Sequence, residues 1–224
     1  VADPHDVGEA AHRYVADGVL VIEGGVIRAV GPAEAILPTL PAGAEITDHR
    51  PHLIMPGFID AHLHMPQTQV IASYGAQLMD WLERYTFVEE QRLAQQGHPE
   101  KLATFLLDEL LSHGTTTAVI YCSVHPQSAE ALFAESERRN TRMIAGKVMM
   151  DRNAPEALTD TAESSYADSK ALIERWHGRG RQLYAITPRF VVTSTPEQME
   201  AAGRLAAEHP DCHVQTHINE NRAE

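Results

Sequence analysis

Two histidines, His62 and His64, stand two positions apart at the end of a short apolar segment, Gly57-Phe58-Ile59-Asp60-Ala61. Residues at this spacing on a β-strand point to the same side, so both imidazoles would project together. Two neutral imidazoles arranged in this way can bind one divalent cation. By itself the spacing fits two surface histidines after a strand equally well, so the surrounding sequence has to decide between the two interpretations.

A third histidine, His217, ends the last apolar segment of the chain, which runs over 212–216. A lone histidine at a strand end is a surface residue unless its strand brings it beside other ligands. His125 follows the second predicted barrel strand and is a candidate for supporting a metal ligand without binding the metal itself. Six further histidines lie in predicted loops, at helix ends or early in a strand, and we expect no metal at His52, His98, His113, His177, His209 or His213.

Strands and helices alternate through most of the chain. Short apolar segments predict strands near residues 57, 116, 143–149, 183–190 and 212–217. Amphipathic spacing predicts helices between them, at 99–113, 126–139, 162–177 and 196–208. The first of these helices is predicted to place one apolar face against the sheet, formed by Leu102, Phe105, Leu106, Leu110 and Leu111.

This alternation predicts an α/β fold with a parallel sheet. We expect residues 56–224 to form the N-terminal part of a (β/α)8 barrel, about five of its eight βα units. The barrel follows a small β-rich subdomain at 1–55, in which 14–31 is predicted as a hairpin with Gly24-Gly25 at its turn. Barrel active sites lie at the carboxyl ends of the strands, where His62, His64 and His217 are all expected.

Composition excludes several classes of partner. The net charge is −13, from 31 acidic and 18 basic residues, which argues against a nucleic-acid surface and against adhesion to anionic lipid. No apolar run approaches the length of a membrane span, and the polar segment 1–15 does not resemble a secretory signal. The two cysteines, Cys122 and Cys212, form no Cys-x-x-Cys pair, which favours a reducing cytoplasm.

The segment Pro56-Gly57-Phe58-Ile59-Asp60-Ala61-His62-Leu63-His64 resembles the signature with which the first barrel strand begins in the amidohydrolase superfamily. The resemblance implies that His62, His64 and His217 are metal ligands, with zinc as the expected ion and iron as an alternative. It also implies that the hairpin belongs to a small β-sandwich that precedes the barrel. Glu220, three residues after His217, would be the proton shuttle of the deaminase branch.

Several longer segments resemble the guanine deaminase family in particular. They include 81–87 (Trp-Leu-Glu-Arg-Tyr-Thr-Phe), 148–155 (Val-Met-Met-Asp-Arg-Asn-Ala-Pro) and 187–190 (Thr-Pro-Arg-Phe). This resemblance implies hydrolysis of guanine to xanthine and ammonia in purine catabolism. It assigns purine binding to Gln67, Arg189 and Phe190, whose amide, guanidinium and ring suit a flat, neutral heterocycle.

The resemblance also implies a homodimer and a further histidine and aspartate ligand beyond Glu224, so we expect the 224-residue chain to be truncated and inactive by itself. Two other functions fit the residues. Another amidohydrolase deaminase, acting on a pterin, cytosine or a triazine, would share the metal site without needing Gln67, Arg189 and Phe190. A non-catalytic metal-binding fragment would bind zinc without turnover.

Overall fold

The computed structural model describes residues 3–75 and 77–219. The chain divides into two compact units, Val1–Met55 and Pro56–Glu224. Where the chain is described, none of its helices is long and apolar enough to cross a bilayer.

The first unit contains one antiparallel hairpin. It begins with the short helix α1 (Pro4–Val7), and strands β1 (Gly18–Glu23) and β2 (Val26–Pro32) pair before helix α2 (Ala33–Ile36). The turn residues Gly24 and Gly25 have φ of 59° and 77°, the left-handed region that glycine tolerates. The predicted hairpin is therefore present. The second sheet that a β-sandwich requires is not found among residues 3–55.

The second unit alternates strands with helices. Its elements are β3 (Phe58–His64), α3 (Leu78–Trp81), α4 (Phe87–Glu90), α5 (His98–Ser112), β4 (Thr115–Tyr121), α6 (Pro126–Arg139), β5 (Arg142–Gly146), β6 (Val148–Met149), α7 (Ala162–Trp176), β7 (Leu183–Pro188), α8 (Pro196–Glu208) and β8 (His213–Val214). The boundaries of the four long helices lie within one residue of those predicted. Thr195 caps α8, since its side chain accepts a hydrogen bond from the backbone N–H of Gln198.

The strands of this unit pair in parallel, in the order β3-β4-β5-β7, with β6 and β8 also paired to β7. β5 and β6 lie along one line of the sheet, so the described strands represent five positions of a barrel. The predicted parallel α/β architecture is confirmed. Parallel pairing brings the carboxyl ends of β3, β7 and β8 to the same end of the sheet.

The predicted strand over 143–149 is interrupted at Lys147. The backbone N–H of Lys147 donates to the Tyr184 hydroxyl at 3.2 Å, so a side chain takes the place of a strand carbonyl. The Lys147 side chain is fully buried, and its ammonium group contacts the Asp160 carboxylate and the Val148 carbonyl. The buried ammonium group of Lys147 and its partners thus accompany an interruption of the regular hydrogen bonding between strands at this residue.

Helix α5 packs on the sheet through a face centred on Leu102, Ala103, Leu106 and Leu107, all of which are buried. The predicted apolar face was partly wrong, because Phe105 is 50% exposed and Leu111 is 38% exposed. A helix has 3.6 residues per turn, so these two side chains flank the buried stripe.

Candidate metal centre

The three predicted ligands converge. His62 and His64 project from the end of β3, and His217 lies three residues after β8. One ring nitrogen of each histidine falls within a group whose atoms are all within 4.8 Å of one another. The Nε2 atoms of His64 and His217 are 2.9 Å apart. Two nitrogens bound tetrahedrally at zinc would be separated by about 3.3 Å, so the cluster needs little rearrangement to hold the ion.

Hydrogen bonding orients His217 for this role. Its Nδ1 lies 2.8 Å from the backbone carbonyl oxygen of Arg189, and its backbone N–H donates to the same oxygen at 3.0 Å. A carbonyl only accepts hydrogen bonds, so Nδ1 carries the proton and Nε2 is left as the lone-pair donor. An imidazole whose second nitrogen is fixed by a carbonyl is the usual arrangement of a metal ligand.

His64 is held in its neutral form. Burial lowers the pKa of this imidazole well below its ordinary value, and the charges of Arg189, His217 and His62 lower it further. Its ring stacks on Tyr121, with the centroids 4.5 Å apart and the planes at 10°. The neutral imidazole is the form that binds a metal, so the donor set fits a divalent cation that prefers nitrogen ligands.

A cavity of about 600 Å³ opens beside the three histidines. Its lining includes all three predicted purine-binding residues, Gln67, Arg189 and Phe190. The volume lies in the range of small-molecule sites. Trp81, Leu82 and Leu106 contribute apolar walls. The fold thus brings the three predicted metal ligands and the three predicted purine-binding residues to one cavity.

Gln67 lies three residues after the end of β3, and Phe190 lies two residues after the end of β7. Gln67 lies on the 3-10 helix Met65–Val70, which continues from β3 immediately after His64. Phe190 is 3% exposed, and its ring meets that of His217 edge to face, with centroids 6.4 Å apart. The end of β3 therefore carries two of the histidines and Gln67, whereas Phe190 is positioned by the end of β7.

Arg189 is deeply buried, with 2% of its surface exposed. Its Nη1 donates to both carboxylate oxygens of Glu90, at 2.9 and 2.8 Å. Sequence reasoning missed Glu90, which is fully buried at the end of α4. Its position three residues after the buried Phe87, on the same helical face, was the available signal.

The structure describes the remaining histidines but not the candidate proton shuttle. Glu220 falls outside the described residues. His125 precedes α6 and does not line the cavity. Its pKa is lowered by burial and, to a smaller extent, by the charge of Lys147.

His177 forms a second cluster with Asp211 and Cys212. There Nδ1 accepts from the Tyr184 backbone N–H at 3.0 Å and Nε2 lies 3.2 Å from Asp211, so both ring nitrogens are already engaged.

Known proteins resemble this chain along its whole length. The guanine deaminase of Escherichia coli (strain K12) is 48% identical over 224 residues, which are 100% of this chain and 51% of that protein. The crystal structure of guanine deaminase from Bradyrhizobium japonicum superposes with a TM-score of 0.95 at 47% identity, covering 100% of this chain and 49% of that one. The guanine deaminase of C. acetobutylicum, solved with guanine bound in its active site, gives a TM-score of 0.81 at 29% identity, over 92% of this chain and 49% of that one.

The chain spans about half the length of the curated relatives it matches. A model of the amidohydrolase family matches residues 53–224, a segment that contains β3, β8 and all three converging histidines. The chain belongs to the amidohydrolase family.

Proposed function

We propose that the protein is a zinc-dependent guanine deaminase, which hydrolyses guanine to xanthine and ammonia. The observation that carries the proposal is the convergence of His62, His64 and His217 beside a cavity lined by Gln67, Arg189 and Phe190. The relatives named guanine deaminase, one of them with guanine bound, support the choice of substrate.

Zinc is the proposed ion because three imidazoles form the described donor set. Iron also accepts imidazole ligands and is the second choice. When bound, zinc supplies a water nucleophile whose pKa is brought near 7. The protein's part is to hold the three rings in place, through strand β3 for two of them and through the Arg189 carbonyl for His217.

The purine is proposed to lie in the cavity with its flat face against Phe190. Gln67 can both donate and accept along the edge of the ring. Arg189 can donate to the carbonyl oxygen O6, and the apolar walls exclude bulk water from the cavity while the nucleophilic water reaches C2. These contacts orient guanine so that C2, which exchanges its amine for the water oxygen, faces the histidines.

Glu220 is proposed to move the protons. It follows His217 by three residues in the sequence, the position that the proton shuttle takes in the deaminase branch that this chain resembles. Its carboxylate would take the proton from the water, deliver it to the ring nitrogen beside C2, and then assist departure of ammonia. The support for this role is sequence position and family resemblance.

The wider setting is proposed from the same resemblance. The reaction belongs to purine catabolism, and the intact enzyme is a homodimer in the cytoplasm. The two cysteines are free thiols, which agrees with a reducing compartment. The acidic charge of −13 agrees with a small neutral substrate rather than a nucleic acid or an anionic membrane.

The test uses the full-length protein, purified and analysed for zinc and for conversion of guanine to xanthine by absorbance. We expect about one zinc per chain, and loss of both zinc and turnover in His217→Ala. The matched control is His213→Ala, which removes an exposed histidine four residues earlier and should keep both. Zinc binding without turnover of guanine would contradict the proposal, and turnover of a pterin, cytosine or a triazine instead would reassign the substrate.

A further inference from the structure

The hydrogen bonds of the Arg189 side chain use only one of its three nitrogens. Both oxygens of Glu90 bind the same nitrogen, Nη1, at 2.9 and 2.8 Å. Over 3–75 and 77–219, no other hydrogen-bond acceptor contacts this guanidinium. Arginine carries five N–H donors on three nitrogens. The Glu90 contact therefore leaves the donors of Nε and Nη2 for a ligand.

Helix α4 supplies a second contact to the same group. The guanidinium carbon of Arg189 lies 5.4 Å from the centroid of the Phe87 ring, within the range of a cation–π interaction. Phe87 and Glu90 are three residues apart and both are buried. One turn of helix thus fixes the plane of the guanidinium and one of its ends, which reduces the rotamer freedom that binding would otherwise remove.

The buried ion pair between Glu90 and Arg189 also neutralises the charge of each side chain. The side chains of Glu90 and Arg189 are 0% and 3% exposed, so water screens neither of them. A buried guanidinium without a counter-ion would favour an anionic ligand, whereas a paired one presents donors with no net charge. A neutral carbonyl oxygen is the acceptor that suits such a group.

We propose that Glu90 is a positioning residue for the deamination, which orients Arg189 and neutralises it so that the cavity takes a neutral, carbonyl-bearing purine in preference to an anionic one. This inference rests on the proposed function. It adds a residue that does not touch substrate and a reason for the selectivity of the site. Glu90 acts only through the guanidinium that it holds.

The variant Glu90→Gln keeps the shape of the side chain and removes its charge. In the zinc-loaded, full-length protein we expect KM for guanine to rise by about tenfold, the scale of a lost charged hydrogen bond, with a smaller change in kcat. The matched control is Glu89→Gln, the same change one residue earlier, where the carboxylate instead pairs with the surface residue Arg92 at 2.8 Å. The control should keep the wild-type KM.

Inhibition by xanthine gives a readout that a purely structural role would not move. Xanthine loses a proton in the neutral range, so its binding can be measured below and above this ionisation. In the wild type we expect xanthine to bind more weakly once it is an anion. In Glu90→Gln the uncompensated charge of Arg189 should reverse this trend.

A double-mutant cycle separates an effect that acts through Arg189 from a general loss of stability. The changes Glu90→Gln and Arg189→Gln are combined, with thermal unfolding and zinc content measured for each variant. In the Arg189→Gln background, loss of the Glu90 charge should change KM by less than twofold, because the group through which it acts is gone.

Three results would overturn the inference. They are an unchanged KM in folded Glu90→Gln, additive effects in the cycle, and a xanthine pH trend equal to that of the wild type. A wild type that does not turn over guanine would instead contradict the proposed function. The two failures are therefore distinguished by the wild-type assay.

Discussion

At the scale of single residues, Arg189 connects the candidate metal ligands with the cavity proposed to bind the purine. Its backbone carbonyl fixes Nδ1 of His217 at 2.8 Å, and its side chain lines the cavity while bound to Glu90. A shift of the strand end at Arg189 would move a candidate metal ligand and a candidate purine contact together. A short segment after β7 therefore connects the candidate metal centre with the cavity proposed to bind the purine.

The two cysteine thiols are predicted to react slowly in the folded protein. Burial raises the pKa of Cys122, which is fully enclosed, and raises that of Cys212 to about 11. The reactive thiolate is therefore scarce at neutral pH. A colorimetric thiol reagent at pH 7.5 should label well under one thiol per chain before denaturation and two afterwards. Rapid labelling of Cys122 in the native protein would contradict its burial.

At the scale of elements, strand β5 approaches β7 closely at Gly146. A Cβ at this position would lie 1.8 Å from the carbonyl oxygen of Ala185, a contact that real structures do not contain. Glycine is required here because two neighbouring strands of the sheet meet with no room for a side chain. The same stretch contains the interruption at Lys147, so sheet geometry is irregular over two adjacent residues.

Gly146→Ala is predicted to destabilise the fold by about 3 kcal/mol or more, since backbone must move to relieve the overlap. Urea denaturation followed by circular dichroism measures the loss. Gly203→Ala serves as the control, because a Cβ there meets nothing within 4 Å on helix α8, and alanine favours a helix. Equal stability of Gly146→Ala and the wild type would show that the strands are farther apart than described.

Helix α6 carries a pH-dependent ion pair. The hydrogen bond from Arg138, together with Arg139, lowers the pKa of Glu135 from 4.5 to about 2. A carboxyl group whose pKa is lower in the folded state stabilises the fold above its ordinary pKa, and this stability is lost as the pH falls toward the folded value. The contribution is therefore present at neutral pH and disappears between about pH 4.5 and pH 2.

Glu135→Gln is predicted to lower the free energy of unfolding by about 1 kcal/mol at neutral pH, a modest figure because Arg138 is exposed. The difference from the wild type should vanish near pH 2, as measured by denaturant titrations across this range. Glu200→Gln makes the same charge change at an exposed site of α8 with no ion pair in the described structure, and its difference should stay small throughout. A constant difference for Glu135→Gln would contradict the ion-pair explanation.

At the scale of the whole molecule, the candidate metal site joins distant parts of the chain. His64 and His217 are 153 residues apart in sequence, and their Nε2 atoms are 2.9 Å apart in space. The site exists only when β3 and β8 both belong to the folded sheet. An ion bound there therefore stabilises the folded state over the unfolded one.

Removal of zinc by a chelator is predicted to lower the free energy of unfolding by about 2.7 kcal/mol, relative to protein with zinc at a hundredfold excess over Kd. Magnesium, which prefers oxygen ligands, should not restore the lost stability. Differential scanning fluorimetry across a zinc titration measures the change, and His217→Ala should abolish it. A zinc-induced shift that persists in His217→Ala would place the ion elsewhere.

The sequence by itself determined the order of the main elements and the extent of the four long helices, and it indicated the three histidines that converge in the fold. Alternating apolar segments and 3.6-residue periodicity are local patterns, and each reflects burial of one face of a strand or helix. The helix boundaries and the parallel sheet could therefore be predicted. The exposure of Phe105 could not, because it depends on how α5 is rotated on the sheet.

Only the tertiary structure decided which distant residues meet. Glu90 and Arg189 are 99 residues apart, and no local pattern indicates that the carboxylate would be buried against that guanidinium. The same holds for the bond between His217 and the Arg189 carbonyl, and for the interruption of the strand at Lys147. Sequence patterns report which groups must be buried, but the choice of partner for a buried charge depends on the packing of the complete sheet and its helices.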